Sequence, residues 1–177
     1  MNIRWLMLAL AGVLLAGCET YQAPRYGVSV DNVMALKTLG PAKVKVGEFA
    51  EPKQFGAGCR AAGPITAADQ LTFAGYIRKA LADELKLAGL YDDGAGISLT
   101  GAVDNLAFSS SVGFWDIALT VTSSNGKTIS VKEHYEFPSA FTAVAACKRV
   151  SDALFPAVQN VIQKVVSSLE FRAMIKG

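Results

Sequence analysis

The sequence predicts an α+β fold, a two-layer sandwich with two helices packed on one face of a four-stranded mixed sheet, in the order β-α-β-β-β-α. Three observations predict it: two long stretches with apolar residues at spacings of three and four, four stretches with apolar residues at alternate positions, and an Asn-Gly pair between the last two of these. Two helices with one apolar face each are best buried together against one sheet face, which leaves the other face in water.

The first strand is Lys43-Val44-Lys45-Val46-Gly47-Glu48-Phe49, where polar and apolar side chains alternate until Pro52 and the following glycines end the run. A helix follows. Thr66 and Asp69 have the spacing of a capping box, Leu71, Ala74, Ile77, Leu81, Leu85 and Ala88 form one stripe, and Gly89 stops it. Arg78, Lys79, Asp83, Glu84 and Lys86 lie off that stripe.

After the Asp92-Asp93-Gly94 turn, Ile97, Leu99, Gly101 and Val103 share one strand face; Trp115, Ile117, Leu119 and Val121 share the next; Ile129, Val131, Glu133, Tyr135 and Phe137 share the last. Asn125-Gly126 joins the last two as a hairpin, because both residues tolerate positive φ. The outer sheet face would carry Thr120, Thr122, Ser130, Lys132, His134 and Glu136. From Ser139 a second helical stripe runs through Phe141, Val144, Ala145, Leu154, Phe155, Val158, Ile162, Val165 and Leu169, with Pro156 expected to kink it or start a new helix.

The chain's start sets its destination. One cation, Arg4, precedes WLMLALAGVLLAG, an apolar run that ends at Cys18. A bilayer-spanning helix needs about 20 apolar residues and a secretory h-region about 7–15, so the run reads as an export signal. Leu15-Ala16-Gly17-Cys18 resembles the lipobox of bacterial lipoproteins. That resemblance implies cleavage after residue 17, acylation of Cys18 and a stable anchor in outer-membrane lipid that does not span the bilayer. In such signals an aspartate after the cysteine retains the protein at the inner membrane; Glu19 stands there instead, which is similar to the outer-membrane-sorted majority.

Removing residues 1–17 leaves 177 − 17 = 160 residues, enough for one domain over 41–177 behind a lipidated tether over 18–40. The tether's second half, VSVDNVMAL, is apolar enough to pack as an extra element or to serve as a partner's arm. Only Arg4 is lost among the charges, so the net charge becomes 16 − 15 = +1 with no basic run, and nucleic acid is not an expected partner. Once Cys18 is acylated, Cys59 and Cys147 remain, and in an oxidising compartment a Cys59–Cys147 disulfide is expected; the alternative is two buried thiols.

Catalytic patterns are sparse. A single histidine removes multi-histidine metal sites, and there is no P-loop, nucleophile elbow or Cys-x-x-Cys. A Cys59–His134 dyad can be written down, but His134 alternates with Lys132 and Glu136 on the expected solvent face, and Cys147 competes for the thiol. Asp92 and Asp93 beside Gly94 read as turn chemistry rather than paired carboxylates. Glu133 intrudes on an inward face and is expected at a sheet edge, reaching water or a cation. Phe108, Phe114, Trp115, Tyr135, Phe137 and Phe141 read as core for the most part, and as a partner or lipid surface if several are exposed together. No enzyme activity, cofactor or metal is expected.

With the lipobox, the element order and the SSNGKTISVKEHYEF hairpin before a helix, the chain resembles small proteobacterial lipoproteins of the YajG type, in a plan similar to LptE and the amino-terminal domain of TolB. The resemblance implies an outer-membrane lipoprotein, facing the periplasm, that assists or scaffolds another envelope protein by contact, with no catalytic residues to carry over. Binding of a lipid or glycan between helices and sheet is the alternative, and it requires an apolar cavity there.

Overall fold

The alternating stretches become one mixed sheet. The computed structural model describes residues 19–176; the signal over 1–17 and Cys18 lie outside the described residues. Strands β1 (Tyr21–Gln22), β2 (Val44–Ala50), β3 (Gly58–Cys59), β4 (Gly63–Thr66), β5 (Ile97–Ser109), β6 (Phe114–Ser123) and β7 (Thr128–Glu136) are interleaved with helices α1 (Val30–Lys37), α2 (Phe73–Ala88), α3 (Ala143–Val166) and α4 (Leu169–Met174). The main sheet has the order β2-β5-β6-β7, with β2 parallel to β5 and the rest antiparallel. A second sheet, β1-β4-β3, flanks α3. The predicted α+β sandwich is present, with β1, α1, β3, β4 and α4 added to its plan.

Register follows burial. Opposite one another on the inner face stand Val103 and Leu119, Leu106 and Ile117, Leu119 and Val131, and Val121 and Ile129. A strict period of two would turn Leu106 outward after Val103, and would turn Phe49 outward after Val46. Irregularities between Val103 and Asn105 and between Val46 and Phe49 each insert a residue, so all four side chains stay buried. Gly101 has a packing reason: a Cβ there would come within 2.6 Å of the Phe49 ring, which lies across its backbone.

Helices α2 and α3 cover that face with Ile77, Leu81, Leu85, Val150, Leu154 and Val158, all buried against Leu99, Ile117, Leu119 and Val121. Fully burying each such side chain stabilises by about 1.5–3 kcal/mol. Trp115 is buried with its indole N–H donating to the Val150 carbonyl at 2.8 Å, so the polar atom of the largest core residue is satisfied.

Local signals explain the ends, with corrections. The first long helix is capped by Thr72, whose hydroxyl accepts from the Gly75 N–H, rather than by Thr66; Asp69 and Gln70 hold φ of 56° and 58°, which no helix admits. Helix α3 starts at Ala143 behind the Thr142 cap, which leaves Phe141 ahead of it, and Val144 and Ala145 in its first turn are exposed instead of continuing the apolar stripe. Pro156 lies inside α3, which runs unbroken from Ala143 to Val166. In the hairpin only Gly126 takes positive φ, at 85°, and four residues link β6 to β7.

The largest correction concerns the expected tether. Tyr21 and Ala23 are buried, β1 pairs with β4, and α1 packs on α2 and α3 through Val33 and Leu36. Among the described residues, folded structure therefore reaches back to Tyr21 rather than starting at residue 41, and VSVDNVMAL packs as an element.

Candidate functional site

One end of the molecule is assembled from three segments distant in sequence. The β3–β4 hairpin turns through Arg60 and Ala61, whose φ values of 45° and 52° are left-handed for residues with a side chain. Its strand places Cys59 against Cys147 in the second turn of α3, and the expected disulfide is present, with a Cα–Cα distance of 5.9 Å. The turn also aims Arg60. Its guanidinium donates to the carbonyl oxygens of Ser110 at 2.6 Å, Ala140 at 3.1 Å and Phe141 at 3.3 Å, and Nε donates to Ser110 Oγ at 3.1 Å.

From the other side Arg149 donates to the carbonyls of Pro138, at 3.1 Å, and Ser139. Four consecutive carbonyls, 138–141, are thus held by two guanidiniums. Gly113 completes the end: a Cβ there would lie 2.0 Å from the Phe137 oxygen, with φ at 94°, so the 110–113 turn and the 137–142 loop touch backbone to backbone. Pinned in this way, the loop leaves Phe141 fully exposed at 101 %, with Val112 at 74 % and Val144 at 53 %. Of the six aromatics named from the sequence, Trp115 is core, Phe108, Phe114, Tyr135 and Phe137 are half-buried, and Phe141 is in solvent.

A second constellation is buried. Glu84 is fully enclosed, and its Oε1 accepts from Tyr26 OH at 2.6 Å, the Ser29 N–H at 2.8 Å and Asn32 Nδ2 at 3.2 Å. Among the described residues, no hydrogen-bond partner reaches Glu84 Oε2 or Asn32 Oδ1. Burial, and then the hydrogen bond to Glu84, push the Tyr26 hydroxyl far above the ordinary tyrosine range. Glu84 lies off the apolar stripe of its helix and is enclosed all the same, because residues 26–32 lie over it. Arg60 and Glu84 were both missed as key residues. The spacing of Glu84 from Ala80 and Leu81, four and three residues, was a usable signal that its charge concealed.

The remaining candidates separate. Glu19 is exposed and accepts from Tyr21 OH at 3.0 Å. Cys59 is consumed in the disulfide, and His134 stands on the open sheet face, so the thiol dyad is not formed. Asp92 accepts from the Gly94 N–H at 2.8 Å and Asp93 from Tyr91 OH at 2.5 Å, both turn contacts. Glu133 meets Lys164 at 2.7 Å and Asn160 at 3.0 Å on edge strand β7, as expected of a charge at that position. Among the described residues no cluster of three or more His, Cys, Asp or Glu is placed to hold a metal ion.

His134 Nδ1 lies 2.6 Å from Asp116 Oδ1, and this hydrogen bond raises the imidazole above its ordinary 6.5. Stabilisation from the pair is present below the unfolded-state value and is lost as pH rises through the folded one. By NMR, His134 should titrate above 6.5, and Asp116→Asn should bring it down; an unchanged midpoint in that variant would remove Asp116 as the cause.

No protein-family model and no curated protein matches the chain. A crystal structure of protein XCC0632 from Xanthomonas campestris, assigned to the family model DUF330, is similar, with a TM-score of 0.55 at 12% identity over 88% of this chain and 96% of that one. At that identity the likeness is one of fold. Among the described residues no helix is long and apolar enough to cross a membrane.

Proposed function

We propose that this chain is a lipid-anchored, non-enzymatic accessory protein of the bacterial outer membrane that works by contact with another envelope component. The observation that carries the reading is a lipobox joined, with no spacer, to a folded body: β1 begins at Tyr21, three residues after Cys18. Anchored there, the body presents an open sheet face in which Thr120, Ser130, Lys132 and His134 are half or fully exposed, and an edge strand, β7, beside α3. Both are surfaces that a protein partner can cover. The likeness of plan to YajG-type lipoproteins, LptE and the TolB amino-terminal domain supports the same reading.

A second reading, binding of a lipid or glycan, is favoured by one observation. Tyr135, Phe137, Pro138, Ala153 and Pro156 line an open groove of about 380 Å³, with Arg149 and Asp152 at its polar side. The space between helices and sheet is filled by buried Leu81, Leu85, Leu99 and Val158, so a ligand would use that groove rather than the interlayer position the alternative first required.

Crosslinking in intact cells, then pull-down and mass spectrometry, decides between the readings. One stoichiometric envelope protein is the expected result; recovery of the chain alone with a co-purified lipid or glycan would transfer the assignment to ligand binding. Replacing Glu19 with Asp should move the protein to the inner-membrane fraction, and unchanged fractionation would remove the sorting argument.

A further inference from the structure

We propose that the end built from the β3–β4 turn, the 110–113 turn and the 137–142 loop is a second membrane contact, which seats Phe141 and Val112 in the lipid surface beside the acyl anchor. The proposal rests on the lipoprotein reading of Cys18 and adds to it a docked orientation.

Chain direction places the anchor. Strand β1 runs parallel to β4, with Tyr21 opposite Ile65, so the residues before Tyr21 run back past Gly63 toward the Arg60-Ala61 turn. Gly63 lies directly under the Glu19 carbonyl, where a Cβ would stand 1.7 Å from the oxygen. Cys18 follows by one peptide bond, with Cα atoms about 3.8 Å apart. An acyl group on Cys18 would thus tether the hairpin end from which Arg60 reaches Ser110, Ala140 and Phe141.

That end is also where large apolar side chains are held out of the core. Phe141 is fully exposed on a loop whose carbonyls are held by Arg60 and Arg149, so its backbone is fixed with the ring in solvent. Val112 sits on the neighbouring turn, tied in by Ser139 Oγ donating to the Ser110 carbonyl at 2.5 Å. A lipid surface is the occupant the geometry favours, because the three residues from Cys18 to Tyr21 span at most about 10 Å and keep this end at the bilayer. One anchor point leaves a body free to tilt, and an apolar ring beside it adds the second point that fixes the tilt.

The opposite end supplies the control. Strand β6 has ten residues, and at about 3.3 Å each the 124–127 hairpin stands roughly 30 Å from the 110–113 turn. Full-length processed protein carrying Phe141→Trp or Lys127→Trp, both at exposed positions, would be reconstituted in phosphatidylethanolamine and phosphatidylglycerol vesicles with brominated acyl chains. Buried Trp115 gives the same background in both variants, and the mass of the Cys18 peptide reports acylation separately.

The expected result is acylated protein in which the added emission at 141 is at least halved by brominated lipid while that at 127 is unchanged. Acylated protein with no quenching at 141, or with equal quenching at both positions, would overturn the contact and leave the lipoprotein reading standing. A blue-shifted but unquenched signal at 141 would put a protein or a second copy on the patch, and would equally overturn it. An unmodified Cys18 would overturn the lipoprotein reading and the docked orientation with it.

Discussion

Replacing both Cys59 and Cys147 with alanine lowers the free energy of unfolding by about 4–5 kcal/mol. The bridge closes a loop of 88 residues, and in the chain-entropy model that constraint acts on the unfolded ensemble. Domains of this size have about 5–15 kcal/mol in all, so the variant is left marginal. The native end is the only place where β3, the 110–113 turn and the start of α3 meet, which is why the loss also has a local face. Freed from Cys147, the hairpin no longer positions Arg60 on the Ser110, Ala140 and Phe141 carbonyls.

Urea unfolding of oxidised wild type against the double variant measures the first effect. The slope with denaturant should rise in the variant, because an uncrosslinked unfolded chain exposes more surface. Adding a reductant should bring wild type to the level of the variant and leave the variant unmoved. A difference below about 1 kcal/mol would mean that packing alone holds this end together.

The parts of the fold legible in the sequence are those where one face is buried and the period is undisturbed. Trp115, Ile117, Leu119 and Val121 alternate without interruption, and β6 sits in the centre of the main sheet as that pattern implies. Period becomes misleading where the backbone changes phase. The bulges after Val46 and Val103 return Phe49 and Leu106 to the core, and only the three-dimensional neighbours of those residues disclose it. The two-residue strands β1 and β3 are too short to show a period at all.

The same reasoning separates the two halves of the candidate site. The disulfide was legible by count, since two cysteines remain for an oxidising compartment once Cys18 is set apart. Spacing places Phe141 and Val144 on a helical stripe because it says nothing about where a helix begins; the Thr142 cap leaves Phe141 ahead of the helix and Val144 exposed in its first turn. Arg60 carries no periodic signal, and its role depends on a left-handed turn whose sequence, Arg-Ala, gives no hint of positive φ.

Glu84→Ala should cost about 3–5 kcal/mol, because it leaves several buried donors without their acceptor. Three donors converge on Glu84 Oε1 from Tyr26, Ser29 and Asn32, and alanine offers none of them an acceptor. Each orphaned buried donor carries a penalty of about 1–3 kcal/mol, partly relieved where the loosened segment admits water. The donors all belong to residues 26–32, so the loss falls on the α1 segment before it falls on the sheet. Proteolysis should therefore cut between Tyr26 and Lys37 in the variant under conditions that leave wild type intact. Glu84→Gln is the discriminating partner, because its amide oxygen keeps the acceptor and its nitrogen adds a donor where Oε2 and Asn32 Oδ1 have none among the described residues. The glutamine variant should keep most of the stability that alanine loses. Equal losses in the two would show that the carboxylate as such, rather than the convergence of donors, holds the segment; no loss in either would show that Val33, Leu36 and the hydrogen bonds to Gln159 suffice to hold α1.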